Sequence, residues 1–326
     1  MRAARVRFWA LVAISAVCVG GAVTTGIATP AHAIEIVLKG AAPDRIERQR
    51  AEANGDIPLP GTPDLAKFED RKAAAGVSQG DHVFIRIFKE EAELELWVRK
   101  GDRFERFATY PICFWSGDLG PKLAEGDKQT PEGFYTVRRR QLHVSGRWRR
   151  ALNLGFPNVF DKANKRTGSY ILVHGGCSSV GCYAMTDAVL KEIHWFAANA
   201  LRRGGQQRIH VHAFPFRMTT QNMRRHAGSP HLDFWSDLKA AYDLFEETKI
   251  PPRIGVCRGR YVAARGTVEL ASRSAIRTVR VRAVPDDEDI ADDRLVCPPV
   301  ETAGSDDDQP DVEARGPAAN NSVRLR

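Results

Sequence analysis

The chain has 326 residues, 43% of them hydrophobic, and a formal net charge of +8. That length and apolar share make a globular protein the default, as one sizeable domain with appendages or two small ones. The positive charge suits an anionic cell envelope, whereas nucleic acid is discounted as a partner because the basic residues are scattered rather than interleaved with aromatics in one motif.

Residues 1–33 read as a secretory signal peptide: Arg2, Arg5 and Arg7 precede an apolar run from Phe8 to about Val23, and small residues end at Ala31-His32-Ala33. Left uncleaved, the segment would be a membrane anchor, so a membrane is expected only in that case. Cys18 lies within it, preceded by Val17, a poor match to a lipoprotein cleavage site. Without Cys18 the remaining cysteines are Cys113, Cys177, Cys182, Cys257 and Cys297. An odd set leaves at least one thiol free or paired with another chain, in a non-cytosolic compartment where disulfides are permitted. Catalysis is one reason to keep such a thiol; burial as a small apolar residue is the other.

Residues 34–79 form a charged preface, with helices expected over Pro43 to Ala53 and Pro63 to Ala75 and a stop at Gly76. Runs rich in β-branched and aromatic residues follow at His82 to Lys89, Glu93 to Val98 and Arg103 to Phe114. The alternation Glu93-Leu94-Glu95-Leu96-Trp97-Val98 predicts half-buried strands of an antiparallel meander. Further strands are expected at Gly133 to Arg138, Tyr170 to His174 and Arg208 to Phe214. A helix over Thr186 to Arg203, capped by Thr186 or Asp187, carries Val189, Ile193, Phe196 and Ala200 on one face and stops at Gly204-Gly205. Residues 80–217 would then be the main domain. Residues 218–262 read as a helical extension, with Phe234, Leu238, Tyr242 and Phe245 at helical spacing before Pro251-Pro252. Residues 263–326, Arg-rich and then acidic, have the composition of a flexible tail.

The stretch from Ile171 to Thr186 carries the chemistry. A buried strand delivers His174 to a glycine-bearing loop, and the loop returns Cys182 at the expected entrance to a helix. There the thiol would meet the positive end of the backbone dipole, which lowers its pKa, with His174 as base. Free amides of Cys182 and its neighbours would receive the oxyanion, and Gly181 would let a carbonyl approach the backbone.

These residues resemble the L,D-transpeptidase catalytic domain, or YkuD-like, family, whose signature is a strand ending in His-Gly followed by Ser-x-Gly-Cys. The matching positions are His174-Gly175 and Ser179-Val180-Gly181-Cys182. Upstream, Gly126 to Tyr135 resembles the family's Gly and Thr-Pro-x-Gly strand entry, here Thr130-Pro131-Glu132-Gly133. The segments Phe88 to Glu91, Leu119 to Lys122, Gly155 to Asn158, Gly181 to Met185 and Pro215 to Met218 are similar to the YafK-like branch. The chain departs from the broad family pattern at Val180, where a second histidine is usual, and at Ala184, where an arginine is usual.

The resemblance covers about His82 to Val262 and implies a mostly β fold with peripheral helices, a YkuD-like β-sandwich or barrel, followed by the C-terminal helix and tail. It implies a Cys182 thioester, a His174 oriented by a backbone carbonyl near Gly175, and no cofactor or metal. Its substrate would be peptidoglycan peptide stems in the periplasm or cell envelope. On the branch resemblance, the reaction is hydrolysis that releases an outer-membrane lipoprotein from diaminopimelate. An L,D-transpeptidase that forms crosslinks or attaches protein is the alternative, and a catalytically silent envelope-binding module the second.

Other readings stand beside these. Cys177 is a rival nucleophile lacking the preceding Ser-x-Gly, or a structural thiol that could bridge to Cys113 if distance allows. Ser179 is either a positioning group or a loop-stabilising hydroxyl. Tyr183 either lines the pocket or packs. Arg138, with Arg139, Arg140 and Arg147 to Arg150, either meets substrate carboxylates or forms a solvated face. His174, Cys177, Cys182 and His194 could in principle ligate zinc, but their spacing fits no common finger.

Overall fold

A computed structural model describes residues 43–266, which fall within one compact unit. The signal-peptide reading and the tail from residue 267 onward lie outside the described residues. No helix among the described residues is long and apolar enough to cross a membrane.

The two helices of the preface form as α1, Pro43–Asn54, and α2, Phe68–Ala74. A 3-10 turn at Leu65–Lys67 leads into α2, capped by the Asp64 carboxylate, which accepts from the Ala66 N–H. The meander follows as β1 (Val83–Phe88), β2 (Glu93–Lys100) and β3 (Arg103–Pro111), paired antiparallel. After Pro111 the chain leaves that sheet, and β4 (Phe114–Trp115) joins another. Next come β5 (Gly133–Val137), β6 (Leu152–Asn153) and α3 (Val159–Ala163). The chain continues through β7 (Leu172–His174), β8 (Tyr183–Ala184), α4 (Asp187–Arg202) and β9 (Ile209–Phe214). One sheet has the order β3-β2-β1-β9-β5, with β1 and β9 parallel; the second has the order β4-β8-β7-β6. The expected mostly β fold is present, as open mixed sheets rather than a closed barrel.

Two expectations are corrected. The helical part of the extension read over residues 218–262 splits into α5 (Thr220–Arg225) and α6 (Leu232–Thr248), because Pro230 cannot donate to a helical ladder and disfavours helical geometry at Ser229. The supposedly helical extension also ends in a hairpin, β10 (Arg253–Cys257) with β11 (Arg260–Ala264).

The meander strands are also more buried than their alternation suggests. Val83, Ile85 and Ile87 of β1 join Leu94, Leu96 and Val98 of β2 in the main core with Val189, Ile193 and Phe196 of α4. The opposite face lies under α6, where Phe84 and Trp97 pack with Phe245, and Phe88 packs with Tyr242. Glu95, a polar position of that alternation, is 1% exposed on this second face. It accepts from Trp97 Nε1 at 2.9 Å and pairs with Arg217 at 2.8 Å, Arg106 at 3.1 Å and the buried Arg86 at 3.8 Å. A charge is tolerated there because several donors replace its water.

Candidate active site

Strand β7 brings His174 to the site and β8 follows directly on Cys182. The two strands run parallel with Val173 opposite Tyr183 and His174 opposite Ala184. Side chains alternate along a strand, so Val173 and Tyr183 enter the main core while Leu172 and His174 project from the other face. Cys182 reaches the level of Leu172, whose N–H donates to Sγ at 3.3 Å. His174 and Cys182 are thus diagonal neighbours on one face. The thiol itself points to the Tyr170 carbonyl at 3.8 Å, so its resting hydrogen bond is to backbone rather than to the imidazole.

His174 is buried, and its Nδ1 lies 2.6 Å from the Gly175 carbonyl. A carbonyl can only accept, so Nδ1 carries the hydrogen and Nε2 is left as the basic nitrogen. The imidazole packs on Trp148, ring centroids 4.5 Å apart, and the Arg147 guanidinium lies 4.9 Å from the centre of that indole. Gly175 is required by close approach, since a Cβ there would run into the Asp187 carboxylate.

The helix-entrance expectation for Cys182 is corrected. Two strand residues separate it from Met185 and Thr186, and α4 begins at Asp187 with Thr186 as its cap. Without the helix dipole, burial pushes the Cys182 thiol up, against the Leu172 N–H, the Ser179 hydroxyl and the charge of Lys122. Burial likewise pushes His174 down, opposed by the Gly175 carbonyl and Asp187 and reinforced by Arg147. The resting pair is therefore a neutral thiol and a neutral imidazole.

The amides expected to be free are occupied. The Cys182 N–H donates to Ser179 Oγ at 2.7 Å, and the Gly181 N–H donates to Ser116 Oγ at 2.6 Å. Ser179 therefore holds the Cys182 backbone. Gly181 has φ 103°, a conformation that disfavours any side chain, and this explains the residue better than room for a substrate carbonyl does. Thr130 ties the upstream motif to the same loop, its hydroxyl donating to the Cys182 carbonyl at 3.3 Å.

Cys177 is bonded to Cys113, with Cα atoms 5.1 Å apart, which removes it both as a rival nucleophile and as a zinc ligand. Cys257 is also disulfide-bonded, and Cys182 is the free cysteine among the described residues. No cluster of three or more metal-ligating side chains occurs among the described residues. Tyr183 is fully buried and donates to the Pro131 carbonyl at 2.6 Å, so it packs rather than lines a pocket. Arg138 caps a 3-10 turn at Arg139–Gln141, its backbone N–H donating to Gln141 Oε1 at 2.9 Å.

Sequence reasoning missed several residues. Ser116 gives no local signal, because it reaches Gly181 from a different strand segment. Trp148 is the single aromatic inside a basic run. Arg45 of α1 donates to the Trp115 and Gly117 carbonyls, both at 2.9 Å, and lies 3.8 Å from the Trp115 ring centre. Gln49 donates to the Cys177 carbonyl at 3.3 Å, so the preface helix braces the loop between His174 and Cys182.

The model of the L,D-transpeptidase catalytic domain, YkuD, matches residues 83–203. A protein named "Putative L,D-transpeptidase YafK" from Escherichia coli K12 is 47% identical over 186 residues, covering 57% of this chain and 75% of that protein. The chain belongs to the L,D-transpeptidase catalytic-domain family. The same-named protein of Escherichia coli O157:H7 matches to the same extent. Among solved structures, the helical cell shape determining protein Pgp2 of Campylobacter jejuni matches at 17% identity and TM-score 0.32, covering 56% of this chain and 65% of that one. Bd1075 of Bdellovibrio bacteriovorus matches at 22% identity and TM-score 0.29, covering 52% and 61%. The chain thus spans under two thirds of the length of these two structures. Of the positions departing from the usual L,D-transpeptidase pattern, Val180 is half exposed and Ala184 is buried in β8 against β7. No guanidinium projects from that strand position.

Proposed function

We propose that the chain is an exported cysteine acyl-transfer enzyme acting on peptidoglycan peptide stems, with Cys182 as nucleophile and His174 as base. The observation that carries this reading is the placing of the free Cys182 thiol and the Nδ1-anchored His174 on one face of paired strands. Rotation about the Cys182 Cα–Cβ bond would turn Sγ from the Tyr170 carbonyl toward Nε2. Such contacts commonly tighten only when substrate binds.

As Sγ attacks the substrate amide carbon, Nε2 takes the thiol proton, and Nδ1–H keeps its bond to the Gly175 carbonyl. The tetrahedral intermediate collapses with cleavage of the C–N bond. The departing amine receives the proton from Nε2, leaving a Cys182 thioester and a neutral imidazole. Nε2 then deprotonates the acceptor, which attacks the thioester carbon, and Sγ leaves and regains the proton. Water as acceptor gives hydrolysis; an amine gives transpeptidation.

Hydrolysis is the preferred outcome, releasing protein attached at diaminopimelate, such as an outer-membrane lipoprotein. The replacement of the usual arginine by Ala184 supports it, because it removes one anchor for a carboxylate-bearing partner. Transpeptidation is the second reading, favoured by the name of the similar Escherichia coli proteins. The disulfide supports an oxidising compartment such as the periplasm. Purified sacculi carrying bound lipoprotein, incubated with the enzyme and analysed by mass spectrometry, should show free protein. New stem crosslinks would instead establish transpeptidation. Cys182→Ala should lose at least about a thousandfold in rate. Full activity in that variant would overturn the assignment, and inactivity of the native enzyme toward every stem peptide would favour a silent binding module.

A further inference from the structure

A cavity of about 380 Å³ opens on the outer side of α4, lined by Arg150, Lys191, His194, Trp195, Asn199 and Arg202, with Ala198 and Arg203 at its margin. Lys191, His194, Trp195, Ala198 and Arg202 recur at helical spacing on one face, away from the buried Val189, Ile193 and Phe196. Arg150 comes from the loop between Leu142 and Ala151, held by its N–H donating to the His143 carbonyl at 2.8 Å.

The charge of this cavity is one-sided. None of its lining residues is acidic, and no salt bridge among the described residues neutralises Arg150, Lys191 or Arg202. Arg203 is held aside by Gln79 at 2.7 Å. His194 has a buried Nε2 with no hydrogen-bond partner, and burial together with Arg150 and Arg202 pushes its imidazole down to about 4. Arg202 and Arg203 sit in the last turn of α4 or just beyond it, where cations favour the helix carbonyls. That role leaves Lys191, Arg150 and the cavity itself unexplained.

We propose that this cavity is an anion-binding site for a carboxylate- or phosphate-bearing ligand, gripped between Arg150 and the Lys191, Asn199 and Arg202 face of α4. Guanidinium forks suit either oxyanion, and the Trp195 ring at the wall offers contact to an apolar portion. The site is separate from the thiol chemistry, although Trp148, on the same loop as Arg150, is the ring that packs against His174 at 4.5 Å.

The test is isothermal titration of the mature full chain at low ionic strength with inorganic phosphate and, separately, citrate. Saturable single-site binding of at least one probe is expected, accompanied by a change in tryptophan fluorescence. Tighter phosphate binding identifies a phosphate source, and tighter citrate binding a carboxylate source. A Lys191→Gln, Arg202→Gln double variant should bind about tenfold or more weakly with an unchanged unfolding midpoint. Both side chains are exposed; should the double variant nevertheless unfold, Lys191→Gln alone must still weaken binding measurably. Absence of binding by both probes, or variants that bind as tightly as the native chain, would overturn the proposal.

Discussion

His174 and Cys182 are both uncharged at rest because burial outweighs the charges, Asp187 for the imidazole and Lys122 for the thiol, that would stabilise their ions. In the proposed mechanism the proton therefore moves during attack, and activity needs the free base of His174. Its pKa lies below the ordinary imidazole value of about 6.5, so the rate should rise with pH and level off with a midpoint under that value. Asp187 favours the imidazolium, so Asp187→Asn should move the midpoint lower still. Initial rates from pH 4 to 9 check this. A midpoint well above 7 would instead mean that the thiolate, not the imidazole, limits the reaction.

At the scale of elements, the site depends on a short parallel strand pair and a loop that three separate segments hold in place. Ser116 after β4 bonds Gly181, Thr130 before β5 bonds Cys182, and the disulfide joins Cys177 to the segment before β4. The bridge spans 64 positions in sequence, so the loop-closure model assigns it about 4 kcal/mol of stability. The Cys113→Ser, Cys177→Ser double variant should lose unfolding free energy of that order, read as a lower denaturant midpoint, while keeping the Cys182 thiol titratable by a thiol reagent. An unchanged midpoint would show that the surrounding hydrogen bonds suffice. The alternation in β2 foretold the pairing of this part of the fold but not its burial. Glu95 reads as a surface residue because no local pattern announces that Arg86, Arg106 and Arg217 will meet on its face.

At the scale of the molecule, that ionic cluster couples the meander to α6, since Arg86 also pairs with Glu246 at 2.6 Å. Burial raises the Glu95 carboxyl, but Arg86 and Arg217 outweigh it and hold it below its ordinary value. A depressed carboxyl stabilises the fold fully above the unfolded value of about 4.3 and loses that contribution as pH falls through the lower folded value. Glu95→Ala should therefore cost about 3 kcal/mol at neutral pH, and the gap from the native chain should close in strong acid. Urea unfolding of both proteins at pH 7 and pH 3 measures it, and equal stabilities at pH 7 would discount the cluster.

The sequence by itself determined the meander, the amphipathic α4 starting at Thr186-Asp187, and the order His174-Gly175 before Ser179-Val180-Gly181-Cys182. Periodicity, capping and motif order are properties of neighbours along the chain. Only the tertiary structure decided which of the described cysteines stays free, that the Gly181 and Cys182 amides are taken by Ser116 and Ser179, and that Cys182 precedes a strand instead of a helix. Those outcomes depend on burial and on partners from distant segments: the same Cys182 has its thiol pKa raised or lowered according to what surrounds it in space.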